Sequence, residues 1–515
     1  MTGMFSDRLR RRDVLLGSAA LAAGSGLGLP ALGQTSAPKR GGRFRAALTG
    51  ASNSDTFNPA LYNSVSTHIY GATFGNCLLE IDHTNKLVPE LAESWEASRD
   101  LRTWRFKLRQ GVQFHNGKTL DAEDVIFSLN HHRGEGNKSA VSGVMKPIQD
   151  IKADGQTIVI TLTSGNADFA WVLADLHTVI IPAGTSDFSR AVGTGPYEIV
   201  EFQPGVRLGA KRNAKYWKSG RAHFDEIELL AINDPTARMN ALLTNAVEAI
   251  DRVDVRLVDR LKGNPRFSVL NVTGYRYCTM PMRVDTPPFD NIDVRMAMKY
   301  AMKRQDILDR VLRGFGTLGN DHPISPVQQF YAKLPQREYD PDKAKFHLKR
   351  AGYDKISVTL QTAEAAFNGA VDACVLYKEH AAACGIDINV ERMPDDGYFQ
   401  KVWLTSPWCV AYWSGRPTAD AILSLGFSTG AAWNETKWNN PRFNQLLLAA
   451  RVEADEKKRQ EMYTEMQQLV SDDSGCLIPL FMNYVFARQS RIMSAGEAGN
   501  YDMDGYRLLE RWWYA

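Results

Sequence analysis

The chain is poor in cysteine, and none of its cysteines is paired in a short motif. Six are spread over 515 residues. Zinc ribbons and thioredoxin-like redox sites need two cysteines separated by two residues, so the spacing argues against both classes. Two interpretations stay open: ordinary buried thiols, or a disulfide such as Cys374 with Cys384, which an oxidising compartment would permit. The six are Cys77, Cys278, Cys374, Cys384, Cys409 and Cys476.

The chain also lacks an excess of charge of either sign. Lys and Arg number 61 and Asp and Glu 58, which gives a formal net charge of +3 at pH 7. Proteins that bind nucleic acid or anionic membranes depend on a strong positive field, so the balance supports neither partner. Hydrophobic residues at 44% and charged residues at 23% are typical of a soluble globular protein. At about 150 residues per domain, the length indicates roughly three domains.

The motifs of common enzyme classes are missing. The sequence has no H-E-x-x-H zinc motif, no G-x-S-x-G nucleophile elbow and no Walker loop. Adjacent helical residues point about 100° apart, so His131 and His132 predict a solvated helix end rather than a metal site. We therefore expect no catalytic residue, no metal and no cofactor. A periplasmic hydrolase, with a site assembled from distant residues, is the alternative from another class.

One apolar segment, short and rich in glycine, lies at the N-terminus. Arg11-Arg12 is followed by an apolar stretch rich in Gly and Ala from Val14 to Leu29, and then by the small residues of Ala31-Leu32-Gly33. The pattern resembles a twin-arginine export signal over residues 1–33, cleaved to release a soluble periplasmic protein that begins near Gln34. No cysteine stands at the cleavage position, which argues against a lipid anchor. A disordered basic tail is the alternative.

Strand patterns recur through the rest of the chain. Residues 103–109 and 157–163 alternate apolar and polar side chains, which predicts half-buried strands. A Gln-Pro-Gly turn within 197–210 predicts a hairpin. The apolar segment 477–487 predicts a late strand that rejoins an earlier sheet. We therefore expect an α/β chain with a discontinuous domain.

Capping residues predict where several helices begin. Asp121 precedes a helix that ends near His131, and Asp340-Pro341 precedes one that ends at Arg350. Asn440-Pro441 precedes a long amphipathic pair that ends near residue 470. Asp293 begins another helix, whose stripe of methionines is expected to fill a core rather than form a ligand surface.

Two loops combine polar and aromatic residues. The segment 408–420 holds Arg416 between an aromatic run and a proline, and 431–438 reads Ala-Ala-Trp-Asn-Glu-Thr-Lys-Trp. A guanidinium held by a stiff loop can bind a carboxylate with two parallel hydrogen bonds. Surface loops with inward-packed aromatics are an equally good interpretation from composition alone.

Residues 87–129 resemble the signature of the family 5 extracellular solute-binding proteins, the peptide, nickel and opine group. The stretch reads Leu-Val-Pro-Glu-Leu-Ala-Glu-Ser-Trp-Glu from Leu87, Leu-Arg-Gln-Gly-Val-Gln-Phe-His-Asn-Gly from Leu108 and Leu-Asp-Ala-Glu-Asp-Val from Leu120. Supporting matches occur, in order, at 193–197, 288–297 and 339–353. The resemblance spans essentially the whole mature chain.

The resemblance implies a periplasmic binding protein type II-like α/β fold, with two lobes, an extra subdomain and a ligand cleft between the lobes. It places domain I at 38–78, 193–278 and 476–515, domain II at 79–192 and domain III at 279–475. Such proteins close on a small ligand and dock on the permease subunits of an ABC importer, commonly as monomers. A chaperone-like or sensory binding protein without an importer is another alternative.

The resemblance also implies a site, with one departure. In peptide-binding relatives, the loop that matches 413–416 carries an Asp for the ligand's ammonium group, whereas this chain has Arg416. We expect Arg416 to bind a carboxylate, as in an opine, a modified peptide or an amino-acid conjugate, with ordinary dipeptide or oligopeptide binding as the runner-up. Glu435 could then bind an ammonium group. The expected ligand-binding residues are Thr56, Trp413, Ser414, Gly415, Arg416, Asn434, Glu435 and Asn483.

Overall fold

The computed structural model describes residues 38–395 and 397–515. The expected export signal at 1–33 lies outside the described residues. Within the described part of the chain, no helix is both long enough and apolar enough to cross a membrane.

Strands and helices alternate through the described chain, as the sequence predicts for an α/β protein. The strands are β1 Arg43–Leu48, β2 Leu79–Ile81, β3 Leu87–Pro89, β4 Ala92–Ala97, β5 Thr103–Leu108, β6 Ile148–Asp154, β7 Thr157–Leu162, β8 Tyr197–Gln203, β9 Arg207–Arg212, β10 Glu226–Ala231, β11 Ala249–Ile250, β12 Phe267–Val272, β13 Tyr277–Thr279, β14 Gly316–Leu318, β15 Ile356–Thr362, β16 Ile386–Arg392, β17 Ala411–Trp413, β18 Leu480–Met482, β19 Tyr484–Gln489, β20 Ile492–Met493 and β21 Trp513–Tyr514.

The helices are mostly short. They are α1 Val65–Phe74, α2 Ala122–Asn130, α3 Ser142–Met145, α4 Phe169–Val172, α5 Pro235–Leu243, α6 Ile292–Tyr300, α7 Arg304–Arg310, α8 Pro341–Arg350, α9 Ala370–Ala382, α10 Tyr398–Lys401, α11 Ala419–Gly426, α12 Pro441–Val452, α13 Glu456–Asp473, α14 Asp502–Gly505 and α15 Leu508–Arg511.

The predicted helix starts are confirmed with one shift. The Asp121 carboxylate accepts from the amides of Glu123 and Asp124 and caps α2, and Asp340 caps α8. Asn440 caps α12, the first of the predicted pair. The methionine helix α6 begins at Ile292, one residue before the predicted start at Asp293, and Asn291 is its cap.

The expectation of a solvated pair at His131 and His132 is wrong. His132 is fully buried, and its Nδ1 lies 2.7 Å from the Ser139 hydroxyl. His131 is half-buried, with Nε2 2.8 Å from the Asn58 side-chain oxygen. The chain folds back over the end of α2, which a local pattern cannot reveal.

All six cysteines are buried free thiols. Of the two interpretations of the cysteines, ordinary buried core residues are therefore confirmed.

The largest sheet has seven strands in the order β12-β19-β11-β1-β10-β9-β8. β1 pairs in parallel with β10 and β11, and β8 and β9 form the predicted hairpin. β19 enters between β11 and β12 from more than 200 residues downstream of β12. The prediction that a late strand rejoins an earlier sheet is therefore confirmed. The predicted strands β5 and β7 belong to a separate antiparallel sheet, β4-β5-β7-β6.

The chain crosses twice between the seven-stranded sheet and a second sheet, β14-β18-β13-β17. β12 pairs with β19 in the first sheet, and β13, the strand after β12, pairs with β18, the strand before β19, in the second. The connections are residues 273–276 and the single residue Asn483. We call this pair of connections the double crossover. It joins the two sheets by two adjacent chain segments.

Candidate ligand-binding site at the double crossover

The loop after β17 packs directly against the double crossover. A Cβ placed on Gly415 would lie 1.9 Å from the Cβ of Tyr275, so only glycine allows this approach. Gly274 is equally confined, because a Cβ there would lie 2.3 Å from the Tyr484 ring. These close approaches hold Gly415 against the 273–276 connection, and that connection against the start of β19. Each contact joins segments of the chain that are more than 130 residues apart.

Arg416 lies at this contact, and no described residue forms an ion pair with it. It is half-buried, and its Nη1 donates to the carbonyls of Ser414 at 3.0 Å and Gly415 at 3.1 Å. Its own carbonyl accepts from the Gln328 side chain at 2.7 Å. Among the described residues, no carboxylate lies within the 4.0 Å ion-pair distance of its guanidinium. The loop is therefore fixed while the positive charge stays available to an anion.

A second arginine, Arg276, was not predicted from the sequence. It lies in the double crossover, and its carbonyl accepts from the Met482 amide at 2.8 Å. Its guanidinium carbon lies 5.6 Å from the centre of the Tyr412 ring. Its buried Nε has no hydrogen-bond partner in the described chain. A lone arginine between Tyr275 and Tyr277 has no local signature, so its position could be found only in three dimensions.

Three arginines act electrostatically on Tyr484, the first residue of β19. Burial raises the pKa of its phenol to about 12, Asp502 adds to the rise, and the guanidiniums of Arg276, Arg252 and Arg416 oppose it. Asp502 lies 3.5 Å from the Nε of Arg252. Three positive charges therefore face one negative charge here, which favours an anionic partner.

A left-handed turn covers the crossover. Four consecutive residues from Met503 to Tyr506 have φ between 48° and 66°. For residues other than glycine, this conformation costs roughly 1–2 kcal/mol each, so the tertiary structure must hold it. The turn stacks Tyr501 on Tyr506 with ring centres 5.0 Å apart and places Asp502 beside Arg252. Such strain is concentrated at functional sites.

Three indoles form a cluster beside the Arg416 loop. Trp413 lies 6.2 Å from Trp403 and 5.7 Å from Trp433 between ring centres, and 39% of Trp433 is exposed. Glu435 is 4% exposed, and its carboxylate accepts from the Trp403 indole at 2.7 Å. Burial raises the pKa of Glu435 to about 7, against the effect of neighbouring donors from Trp403, Trp413 and Thr279.

The remaining expected site residues divide by location. Ser414 is exposed beside Arg416, and Asn483 lies in the crossover, where its amide donates to Asn271 at 2.8 Å. The Asn434 amide donates to the carbonyls of Ser428 and Trp438. Thr56 accepts from the Asn58 amide, a local turn contact. The structure thus groups Trp413, Ser414, Gly415, Arg416 and Asn483 at the crossover, whereas the contacts of Asn434 and Thr56 hold their own loops.

A buried cluster of three carboxylates, away from the double crossover, has a structural role. Oxygens of Glu80, Glu90 and Glu510 lie within 4.8 Å of one another, close enough for a metal site. The Lys218 ammonium already stands among them, at 2.6, 2.7 and 2.8 Å. Arg507 donates to two of the same carboxylates, Glu90 and Glu510. Cations of the chain itself therefore neutralise this cluster.

Comparison with known proteins matches this architecture to transport binding proteins. The chain is 26% identical over 469 residues to the dipeptide-binding protein of Escherichia coli K12, covering 82% of this chain and 86% of that one. It is 28% identical over 465 residues to heme-binding protein A of Haemophilus influenzae, covering 81% and 83%.

A solved structure shows the same fold. The ABC transporter-associated periplasmic binding protein DppA of Helicobacter pylori, in complex with the peptide STSA, superposes with a TM-score of 0.75 at 23% identity. The match covers 93% of this chain and 99% of that one. The expected periplasmic binding protein type II-like fold is thus confirmed.

The family assignment follows from a match that extends over most of the chain. The model of the bacterial extracellular solute-binding proteins, family 5, matches residues 86–434. This range includes the 87–129 signature, the polar–aromatic loop 408–420 and the first four residues of the loop 431–438. The chain belongs to the bacterial extracellular solute-binding proteins, family 5.

Proposed function

We propose that the protein is the periplasmic substrate-binding component of an ABC importer and that it captures a small polar solute carrying a carboxylate. The family supports the binding role, and the signal-like pattern at 1–33 supports export. The protein releases its ligand unchanged to the permease subunits, and ATP hydrolysis by a partner drives import. No enzymatic step belongs to this chain.

The observation that carries the carboxylate assignment is the unpaired charge of Arg416. Its loop is fixed by the Gly415–Tyr275 approach and by hydrogen bonds to backbone carbonyls. A planar guanidinium in such a loop is pre-organised to bind a carboxylate bidentately. A ligand ammonium group would be repelled from this position.

The double crossover supports closure of two lobes as the capture step. We propose the division into domain I at 38–78, 193–278 and 476–515, domain II at 79–192 and domain III at 279–475. The seven-stranded sheet draws its strands from the domain I segments. Few residues connect it to the second sheet, and short connections are typical of hinges. A ligand favours closure only through contacts that it makes better in the closed form.

The test is calorimetry of Arg416→Ala with the natural ligand, identified by native mass spectrometry of protein purified from its own periplasm. Removing one partner of a desolvated charge pair costs roughly 2–5 kcal/mol, so affinity should fall about 30-fold or more. Arg207→Ala is the matched control, because Arg207 pairs with Glu201 at the surface of the seven-stranded sheet. Unchanged affinity in a folded Arg416→Ala protein would remove the carboxylate assignment.

Ordinary peptide binding is the second candidate, and Glu435 favours it. Among the described residues, no Lys or Arg pairs with this buried carboxylate, so a ligand ammonium group could be its partner. Binding of a dipeptide that is lost on N-acetylation and on Glu435→Gln would support this candidate over the opine-like ligand.

A further inference from the structure

Arg276 is half-buried, and it differs from the buried arginines of the described chain in its contacts. Arg304 donates to both oxygens of Asp321, and Arg295 donates to the carbonyls of Phe289 and Asp473. Among the described residues, no carboxylate and no backbone carbonyl accepts a hydrogen bond from the Arg276 guanidinium. The guanidinium lies against the Tyr412 ring. Arg276 is therefore the exception that needs an explanation.

Part of the Arg276 guanidinium, its Nε, is buried without a partner in the described chain, which is costly in the ligand-free protein. Buried charges are normally paired, because transfer of an isolated ion out of water is strongly unfavourable. Burial, together with the positive charge of Arg252, lowers the pKa of the Arg276 guanidinium. Groups disfavoured in this way are concentrated at binding and active sites.

Another polar atom of the double crossover lacks a protein partner as well. The Asn483 side-chain oxygen is buried without a hydrogen bond in the described chain, like the Arg276 Nε. Each unsatisfied buried group in a folded protein calls for an explanation, and two in the same pair of connections indicate a shared one.

We propose that Arg276 is a second anion anchor and that the ligand carries at least two acidic groups, one for Arg416 and one for Arg276. The inference rests on the proposed binding function and specifies its ligand class. The contact between Gly415 and Tyr275 fixes the spacing of the two anchors. Tyr412, which is 39% exposed, supplies aromatic surface beside Arg276. A monocarboxylate would leave one guanidinium unpaired.

The first test needs no ligand. Met keeps most of the arginine stem, so Arg276→Met removes the charge with little loss of packing. The ligand-free variant should unfold at a higher temperature than wild type, by about 1–2 °C, because an uncompensated charge is gone. Arg304→Met is the matched control and should lower the Tm by several degrees, because it leaves Asp321 buried without one of its two arginines. A lower Tm for Arg276→Met would overturn the proposal.

The second test counts the acidic groups of the captured ligand. Native mass spectrometry of wild type from its own periplasm gives the ligand mass, and methyl esterification adds 14 Da for each carboxyl group. We expect two or more acidic groups, and at least 10-fold less ligand retained by Arg276→Met. A single acidic group, or equal retention, would overturn the role of Arg276 and leave the binding function intact. If the wild-type protein carries no ligand, that result counts against the proposed function. The melting temperatures of Arg276→Met and wild type then decide whether the charge of Arg276 is uncompensated.

Discussion

Replacement of Glu90 by Gln tests whether the buried ionic cluster anchors the C-terminal segment of the fold. Glu90 is fully buried. Its two oxygens accept from Lys218 at 2.7 Å and from both terminal nitrogens of Arg507 at 2.7 and 2.9 Å. It also accepts from the Cys77 amide at 2.9 Å. One side chain thus links three separate parts of the chain.

The magnitude follows from burial of the whole cluster. Glu90→Gln keeps the size of the side chain but removes its charge, and it turns an N–H donor toward cations that are themselves donors. Breaking a buried ion pair by removing one partner costs about 3–5 kcal/mol, because the remaining charge stays buried without compensation. We expect the free energy of unfolding to fall by that amount at pH 7.

Urea unfolding followed by tryptophan fluorescence measures this loss. Glu93→Gln is the matched control, because Glu93 pairs with Lys107 at the surface and its replacement should leave the midpoint unchanged. Equal midpoints for Glu90→Gln and Glu93→Gln would refute the reasoning, since the buried cluster would then contribute no more than a surface pair.

Three further predictions concern the loop, the closed form and pH. Gly415→Ala should weaken ligand binding by at least 10-fold in calorimetry, because the new Cβ would lie 1.9 Å from the Cβ of Tyr275 and must displace the loop. A variant with wild-type affinity would contradict the steric argument. Asp168→Asn breaks a buried 2.7 Å ion pair with Arg459, which joins the proposed domains II and III. The variant should favour an open form, with about 10-fold weaker binding and a larger radius in X-ray scattering. An unchanged radius and affinity would show that this pair does not stabilise a closed form. Burial raises the pKa of Glu510, but the positive charges of Lys218 and its neighbours outweigh burial and hold the pKa at about 2. Because this pKa is below the value of 4.5 for an unperturbed glutamate, ionised Glu510 stabilises the fold above pH 4.5, and this stability is lost as pH falls toward 2. Acid should therefore lower the urea midpoint, and a midpoint that rises on acidification would contradict the prediction.

Local sequence signals predicted most individual elements, because their causes are local. The helix cap at Asp121 needs only amides two and three residues away. The alternation in β5 buries Trp104, Phe106 and Leu108 on one face, as its period predicts. The departures arose where distant segments intervene, as at His132, whose partner Ser139 lies beyond the end of α2.

The candidate site was predicted only in part. The sequence predicts a binding role for Arg416 because aromatic residues and a proline stiffen its loop and because the family resemblance places a binding residue there. Arg276 and Tyr484 have no such local setting. They meet only because β13 pairs with β18 across the double crossover, a pairing between residues about 200 positions apart.

The sequence by itself determined the family, the α/β class, most strand and helix starts and the unusual arginine at position 416. These properties depend on short-range periodicity, capping and motifs, which are readable without coordinates. Only the tertiary structure decided that three guanidiniums oppose the rise in the pKa of Tyr484 and that two of them lack an ion-pair partner in the described chain. Whether a charge is paired depends on which remote segments pack against it, and no local pattern contains that information.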